Sequence, residues 1–569
     1  MTTIYDQPED FATSALEGYA SVYGRFVRAV KSGVVRSTPR PEGKVAVVVG
    51  GGSGHYPAFA GYVGSGLADA AVAGDVFASP STAGVARVCR LAHRGGGILL
   101  GYGNYAGDVL NFGAAAERLR SEGLDVRVLP VTDDVASGPA DDHLARRGIA
   151  GDLIVFKIAG AAAEEGRVLD DVEAVAKHAN ARTVSFGVAF GGCTLPGSDE
   201  PLFTVPKAQM ALGLGIHGEP GISETAILPA SALADLLTHR LLAERPADCH
   251  RVAVLLNGLG ATKYEELFVL WPQIAARLSA ARLEIVRPEV GEFVTSLDMR
   301  GCSLSLLWLD NELERLWCAP CETAVLVRRD DHVLADVLPE EVEDILVFPH
   351  ASDAARVAGR CIATLIERLT DVLHAAEAEL GRIDAQAGDG DHGQGMTRGA
   401  TAARSAADAA VAAGAGAQSV LAAAADAWAD RAGGTSGVIW GVLLRAWSTA
   451  LSDDKALDDA AVIAGARLAL DGVMRLGGAK IGDKTLVDAF VPFVETLEMV
   501  FGETRSLQQA WTRAAAAATT AAEQTRALTP RLGRARPLAE RSIGHRDAGA
   551  VSLALCAETV AAALHDPRP

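Results

Sequence analysis

The chain has 569 residues, 49% of them hydrophobic and 22% charged. That composition supports large buried cores and excludes a disordered polymer. Its formal net charge of −19 argues against sequence-independent binding to nucleic acid or to an anionic membrane, which needs clustered Lys and Arg.

The same charge permits an anionic small molecule, because backbone N–H groups or a metal can offset it locally. At ~100–200 residues per domain the length allows roughly three to four domains. The opening MTTIYDQPEDF has neither the basic start nor the apolar core of a signal peptide. The longest uncharged run, residues 409–425, is mostly Ala and Gly and too weakly apolar to read as a membrane span. Eight cysteines are scattered, and only Cys318 and Cys321 form a C-x-x-C. With no second pair at metal spacing, this reads as accidental rather than as a zinc or redox site. A reduced, cytoplasmic protein is expected.

In chain order, KVAVVVGGG (44–52), GGGILLGYGNY (95–105), LDVRVLPV (124–131), DLIVFKIAG (152–160), VSFGVAFGG (184–192) and HRVAVLLNGLG (250–260) read as strands running into loops. They are near-continuously apolar, as in a sheet covered on both faces. Helical stretches such as 109–121 fall between them. Residues 1–330 therefore read as α/β, with two subdomains. The stretch 47–66, VVVGGGSGHYPAFAGYVGSG, invites a dinucleotide-binding reading. No register of G-x-G-x-x-G fits it, because Pro57 or His55 falls at the last glycine.

Three residues of this half could carry chemistry. His55 follows a strand, where α/β sites lie. Asp108 sits in GYGNYAGDVLNF, and its structural explanation is an N-cap for a helix starting at Val109. His217 is flanked by glycines in GLGIHGEPG, where an ordinary loop histidine is the plainer reading.

The acidic, proline-marked segment 331–355 reads as a linker. From residue 356 to 569 strands cease. Stretches 355–380, 419–432, 459–476, 485–500 and 506–528 carry apolar residues at spacings of three and four, the sign of packed amphipathic helices. Within this all-α half, GGAKIGDKT (477–485) is not a P-loop, because Asp483 precedes the lysine and the surroundings are helical. AQAGDGDHGQGM (385–396) is not an EF-hand, because counting from Asp389 puts Ala400 at the twelfth position, where Glu is needed. What remains is Asp384, Asp389 and Asp391 near a helix end. Three carboxylates are costly to hold together without a cation, and Mg²⁺ prefers oxygen ligands shared with phosphates. Further glycine loops at 433–441, 477–485 and 540–550 are flanked by helices and suggest one phosphate-binding end of a helical bundle.

Taken together, D-x-x-x-x-D-x-D-H-G, GGTSG, GDKT and R-S-I-G-H-x-D resemble the nucleotide-binding domain of the dihydroxyacetone kinase family. The resemblance implies an eight-helix antiparallel barrel whose three Asp, here Asp384, Asp389 and Asp391, hold Mg²⁺ on the phosphates of ATP. Implied nucleotide contacts are His392, Gly393, Gln394, Gly395, Thr435, Ser436, Gly477, Leu486, Arg534, Asp547, Ala548 and Gly549. Leu486 stands where the family often has Met, and Ala548 where it usually has Pro. The N-terminal half resembles the substrate domain of the same family, an α/β domain that dimerises. By that resemblance His217 bonds covalently to the carbonyl of a short keto-sugar, giving a hemiaminal, which suits a neutral imidazole and an electrophilic ketone. Asp108 is the implied base for the attacking hydroxyl, and His55 the implied hydrogen-bonding partner. Gly52, Ser53, Gly103, Asn104 and Tyr56 fall at or beside the sugar.

Two departures stand out: Gly103 replaces a usual Lys, and Tyr56 a usual Glu. Loss of the Lys predicts a pocket enlarged for a four-carbon ketose. The expected activity is therefore ATP-dependent phosphorylation of a terminal hydroxyl of erythrulose, the D form favoured, or of dihydroxyacetone, by a homodimer that binds neither nucleic acid nor membrane. The alternatives are a dihydroxyacetone/glyceraldehyde kinase with FAD-AMP lyase (cyclising) activity, and a non-enzymatic sugar sensor or coactivator.

Overall fold

A computed structural model describes residues 2–329, 348–532 and 539–565, in two compact units, Met1–Leu338 and Pro339–Pro569. Most of the segment read as a linker, and Arg534, lie outside the described residues.

Unit one holds two sheets. The first contains β1 (Val27–Val30), β2 (Gly33–Arg36), β3 (Ala46–Ser53), β4 (Ala70–Val76), β5 (Ile98–Gly103) and β6 (Val126–Val131), in the order β1-β2-β4-β3-β5-β6. β4, β3, β5 and β6 run parallel, and β1 and β2 form an antiparallel edge. The second contains β7 (Thr183–Ala189), β8 (Gln209–Leu212), β9 (Ser223–Ala226), β10 (Arg251–Gly258), β11 (Glu284–Ile285), β12 (Glu289–Gly291) and β13 (Gly301–Leu309). Its order is β11-β10-β13-β7-β8-β9, with β12 also on β10. A short ribbon, β14 (Cys321–Glu322) and β15 (Val327–Arg328), ends the unit. The helices are α1 (Phe11–Val22), α2 (Thr82–Ala92), α3 (Ala106–Ser121), α4 (Gly151–Glu164), α5 (Leu169–Ala181), α6 (Ala230–Leu242), α7 (Tyr264–Ala280) and α8 (Asn311–Cys318).

Side-chain alternation along β3 explains the layers. Ala46 and Val48 join a core with Val85 of α2 and Phe112 of α3. Val47 and Val49 join a second core with Ile154, Val155 and Phe156 of α4. Leu255 of β10 and Leu307 of β13 reach the same core from the other sheet, so α4 lies between the two sheets. This corrects the reading of DLIVFKIAG as a strand. The run is helix, apolar on every side because it is covered on every side. A continuous apolar run has no period that separates strand from buried helix.

The described residues of unit two contain helices and no strands: α9 (Asp353–Asp384), α10 (His392–Ala412), α11 (Ala417–Ala432), α12 (Gly434–Ser448), α13 (Asp459–Gly477), α14 (Leu486–Thr504), α15 (Leu507–Gln524), the short α16 (Ala539–Ser542) and α17 (Ala548–His565). Each long helix packs on the next, and α17 returns to α9, closing a barrel of eight long helices. Alanines such as Ala403, Ala424, Ala466 and Ala514 are fully buried at the helix contacts, and Trp428, Trp440, Phe490 and Trp511 fill the wider spaces. Among the described residues α17 alone is long and apolar enough to cross a membrane by length and composition, and here it is a wall of the barrel. GGTSGVIWG is not mainly loop. Only Gly433 and Gly434 make the turn, with φ of 70° and 57°, and the rest is the first half of α12.

Candidate functional site

In unit one the chemistry gathers where β3 and β5 end. Gly54 has φ +97°, a left-handed backbone that favours glycine, and it turns the chain so that His55 points into the crevice. The segment after β12 clamps this turn. Leu297 N–H donates to the Gly54 carbonyl at 2.8 Å and Thr295 N–H to the His55 carbonyl at 3.2 Å. His55 Nδ1 lies 2.7 Å from the Thr295 carbonyl and therefore carries its proton there. His217, in the loop between β8 and β9, has Nδ1 3.0 Å from Glu219 Oε1, which fixes that nitrogen as a donor too. The two Nε2 atoms meet at 3.0 Å. Since both Nδ1 atoms are protonated, this contact needs one further shared proton.

Burial, then the neighbouring His217, pushes His55 down to about 3. Glu219 is pulled down to about 2 by its His217 bonds despite burial, and stays ionised. Burial thus disfavours a proton on His55 Nε2, and the ionised Glu219 carboxylate lies against the other ring. Phe77 stacks on His55 at 5.0 Å, and Tyr105 meets His217 edge to face at 4.8 Å, giving the imidazoles apolar walls.

Asp108 is 9% exposed. It is not the N-cap of its helix: α3 begins at Ala106 with Tyr105 at the cap position, and Asp108 lies in the first turn. Burial raises its carboxyl to about 6, with Ser79 and His217 pulling part of the way back. Its Oδ1 has no hydrogen-bond partner among the described residues. Gly52 passes so close to Phe77 and Ala78 that a Cβ would stand 2.8 Å from Ala78 N. The Ser53 hydroxyl is committed to the Gly74 carbonyl at 2.7 Å, and the Asn104 amide to the carbonyls of Leu144 and Arg146.

The two departures from the family pattern sit differently. The Tyr56 ring turns toward α1, edge to face with Tyr19 at 5.6 Å, in a cavity of about 530 Å³ that neither His217 nor Asp108 lines. Gly103 is at the crevice, but the direction a side chain would take is filled. A Cβ there would stand 3.3 Å from the Tyr105 ring and 3.4 Å from Asp152 Oδ2.

In unit two, one end of the barrel encloses a cavity of about 410 Å³. The N-termini of α10, α12, α14 and α17 all reach it, through His392, Gly434 to Ser436, Leu486 and Ala548 to Gly549. Four helix N-termini facing one space make an anion site. Asp384, the last residue of α9, joins Asp389 and Asp391 at its edge, with one ligand oxygen from each within 4.8 Å of the others. An all-carboxylate set suits a hard divalent cation. Asp384 Oδ2 accepts from Gly390 N–H at 2.8 Å, which folds the loop back on the helix. His392 is held by Ser436 at 3.2 Å and Ser552 at 3.0 Å. Thr485 and Asp488 form a capping box on α14. Burial raises Asp547 to about 7.

Of the expected nucleotide contacts, His392, Gly395, Thr435, Ser436, Gly477, Leu486, Asp547, Ala548 and Gly549 line this cavity. Gly393 instead packs against the Glu377 backbone, and Gln394 is exposed. Sequence reasoning missed Lys484, which lines the cavity and donates to the Ser542 carbonyl at 2.6 Å, and Glu219, which fixes His217. Both stand inside motifs already singled out, GDKT and HGEPG.

An α/β unit carrying a histidine pair, joined to a helical barrel with an anion end, defines a two-domain protein of Dak1 and DAK2 type. The Dak1 domain matches residues 17–325 and the DAK2 domain residues 386–562. The chain belongs to the dihydroxyacetone kinase family, in its single-chain form. The D-erythrulose kinase of Mycolicibacterium smegmatis is 52% identical over 99% of this chain and 98% of its own. The L-erythrulose kinase of Pectobacterium atrosepticum is 51% identical over 99% and 97%. The crystal structure of the C. freundii dihydroxyacetone kinase with AMP-PNP and Mg²⁺ superposes with a TM-score of 0.60 at 30% identity, covering 98% of this chain and 99% of that one.

Proposed function

We propose that the protein is an ATP-dependent kinase that phosphorylates a terminal hydroxyl of a short keto-sugar, D-erythrulose before dihydroxyacetone, while His217 holds the sugar as a hemiaminal. The observation that carries the reading is the His217–His55 contact at 3.0 Å with both Nδ1 atoms committed elsewhere. As His217 Nε2 gives up the shared proton its lone pair attacks the carbonyl carbon. The N–C bond forms, the C=O π pair moves to oxygen, and that oxygen takes the proton through His55 Nε2. The positive charge left on the substituted ring faces the Glu219 carboxylate. Asp108 then accepts the proton of the hydroxyl to be phosphorylated.

Support for ATP as donor comes from the four helix N-termini around the barrel cavity and from the AMP-PNP complex of the C. freundii relative. Asp384, Asp389 and Asp391 would hold Mg²⁺, which supplies charge neutralisation at the phosphates. The erythrulose assignment rests on relatives at 51–52% identity, since the packing around Gly103 leaves no enlarged space at that position. Dihydroxyacetone labelled with ¹³C at the carbonyl tests the covalent step: its carbonyl resonance should give way to a tetrahedral-carbon signal on the wild type and not on His217→Ala. A tetrahedral signal retained in the variant would remove the hemiaminal from His217.

A further inference from the structure

Gly103 lies beside a carboxyl that the scheme above does not use. Asp152, in the first turn of α4, is 3% exposed, and its Oδ1 has no hydrogen-bond partner among the described residues. Such a group is expensive to bury and calls for an explanation. Capping the helix is not one, because Asp133 already accepts from Ile149 and Gly151 N–H at 2.8 Å each. The Tyr105 hydroxyl, also buried, has no partner among the described residues either, and its ring is a wall of His217. Tyr105 Cε2 and Asp152 Oδ2 both come within 3.4 Å of the point where a side chain on residue 103 would begin. Glycine at 103 therefore sets no side-chain atoms against the carboxyl at the end of β5, the side on which ligands bind in parallel α/β sheets.

A short ketose with its carbonyl carbon on His217 and one terminal hydroxyl on Asp108 has one arm left to place. In a three-carbon ketose that arm is a hydroxymethyl group, and in a four-carbon ketose it carries an additional hydroxyl. We propose that Asp152, with the Tyr105 hydroxyl beside it, is a specificity determinant that hydrogen-bonds the additional hydroxyl of a four-carbon ketose. The proposal deepens the kinase reading and rests on it. Burial, then Asp133 and Asp108, holds the Asp152 carboxyl well above the usual range. A neutral acid can both donate to and accept from a sugar hydroxyl, and sites built to bond a hydroxyl discriminate strongly against analogues that lack it.

The test is the ratio of kcat/KM for D-erythrulose to that for dihydroxyacetone, in Asp152→Asn, which keeps the shape, and in Asp152→Ala. The ratio should fall by about tenfold or more. The Tm should stay at or above the wild-type value, because an unpaired buried carboxyl has been removed. A ratio within threefold of wild type would overturn the proposal. So would a Tm several degrees lower with both sugars impaired equally, since that marks a structural carboxyl. Should the Ala variant fail to fold, the Asn variant decides. The wild-type ratio separately judges the erythrulose reading, because preference for dihydroxyacetone there would sink that reading whatever the variants do.

Discussion

His55 and His217 stand edge to face with their Nε2 atoms 3.0 Å apart, each ring already committed through Nδ1, one to the Thr295 carbonyl and one to Glu219. The arrangement leaves one nitrogen on each ring for a substrate and one proton between them. His217→Ala should abolish tight ketose binding, read by calorimetry, while ATP binding persists. Glu219→Gln should weaken it by about tenfold, since the charge facing the substituted ring is lost. Unchanged ketose affinity in His217→Ala would contradict the role.

Asp108 sets the pH dependence. Its carboxyl is raised to about 6, so the basic form grows as pH rises through that value. Activity should climb through about pH 6 and level above it. Asp108→Asn should cut kcat by ~10²–10⁴-fold with ketose binding retained. The stability sign is opposite. A carboxyl whose folded value is raised from 3.8 to about 6 stabilises fully below the unfolded value and loses that contribution as pH rises through the folded one. Asp108→Asn should therefore gain on the order of 2–3 kcal/mol relative to wild type above pH 6. A pH profile flat between 5 and 7 would count against the assignment.

Asp384→Ala and Asp389→Ala should each abolish turnover without changing ketose affinity, and chelation of Mg²⁺ should do the same to the wild type. Phosphoryl transfer depends on neutralising the phosphates. Turnover surviving in either variant would remove the carboxylate set from the donor site.

Asp69 tests the scaffold of unit one. It is 1% exposed and takes Lys44 Nζ at 2.6 Å, Arg36 Nη1 at 3.4 Å and the Val47 N–H at 3.0 Å. Asp69→Ala leaves two buried cations facing one another, with Glu164 as their remaining carboxylate. The expected cost is ~3–5 kcal/mol in denaturant titration of the full chain. A loss below about 1 kcal/mol, the range of exposed pairs, would show the network to be solvent-screened.

The barrel was legible because its helices are amphipathic and regularly spaced, and residues 355–380 and 506–528 announce α9 and α15 directly. The carboxylates were legible because Asp384, Asp389 and Asp391 lie within eight residues of one another. DLIVFKIAG was not, since a helix wrapped by two sheets loses the polar stripe that gives it a period. Tyr56 was placed beside the sugar by the family resemblance, as the residue standing for a usual Glu. Successive residues in a turn face different ways, and its ring went to Tyr19 instead. The shared proton of the histidine pair depends on Thr295 and Glu219, and Thr295 lies 240 residues from His55. No local pattern carries that contact.

The most direct test of the account is the steady-state kcat/KM with Mg²⁺–ATP for D-erythrulose, L-erythrulose, dihydroxyacetone and glyceraldehyde, measured side by side on the wild-type chain. The ketoses should be phosphorylated, with D-erythrulose highest. A highest value for dihydroxyacetone would contradict the four-carbon assignment, and no turnover of any ketose would contradict the kinase itself.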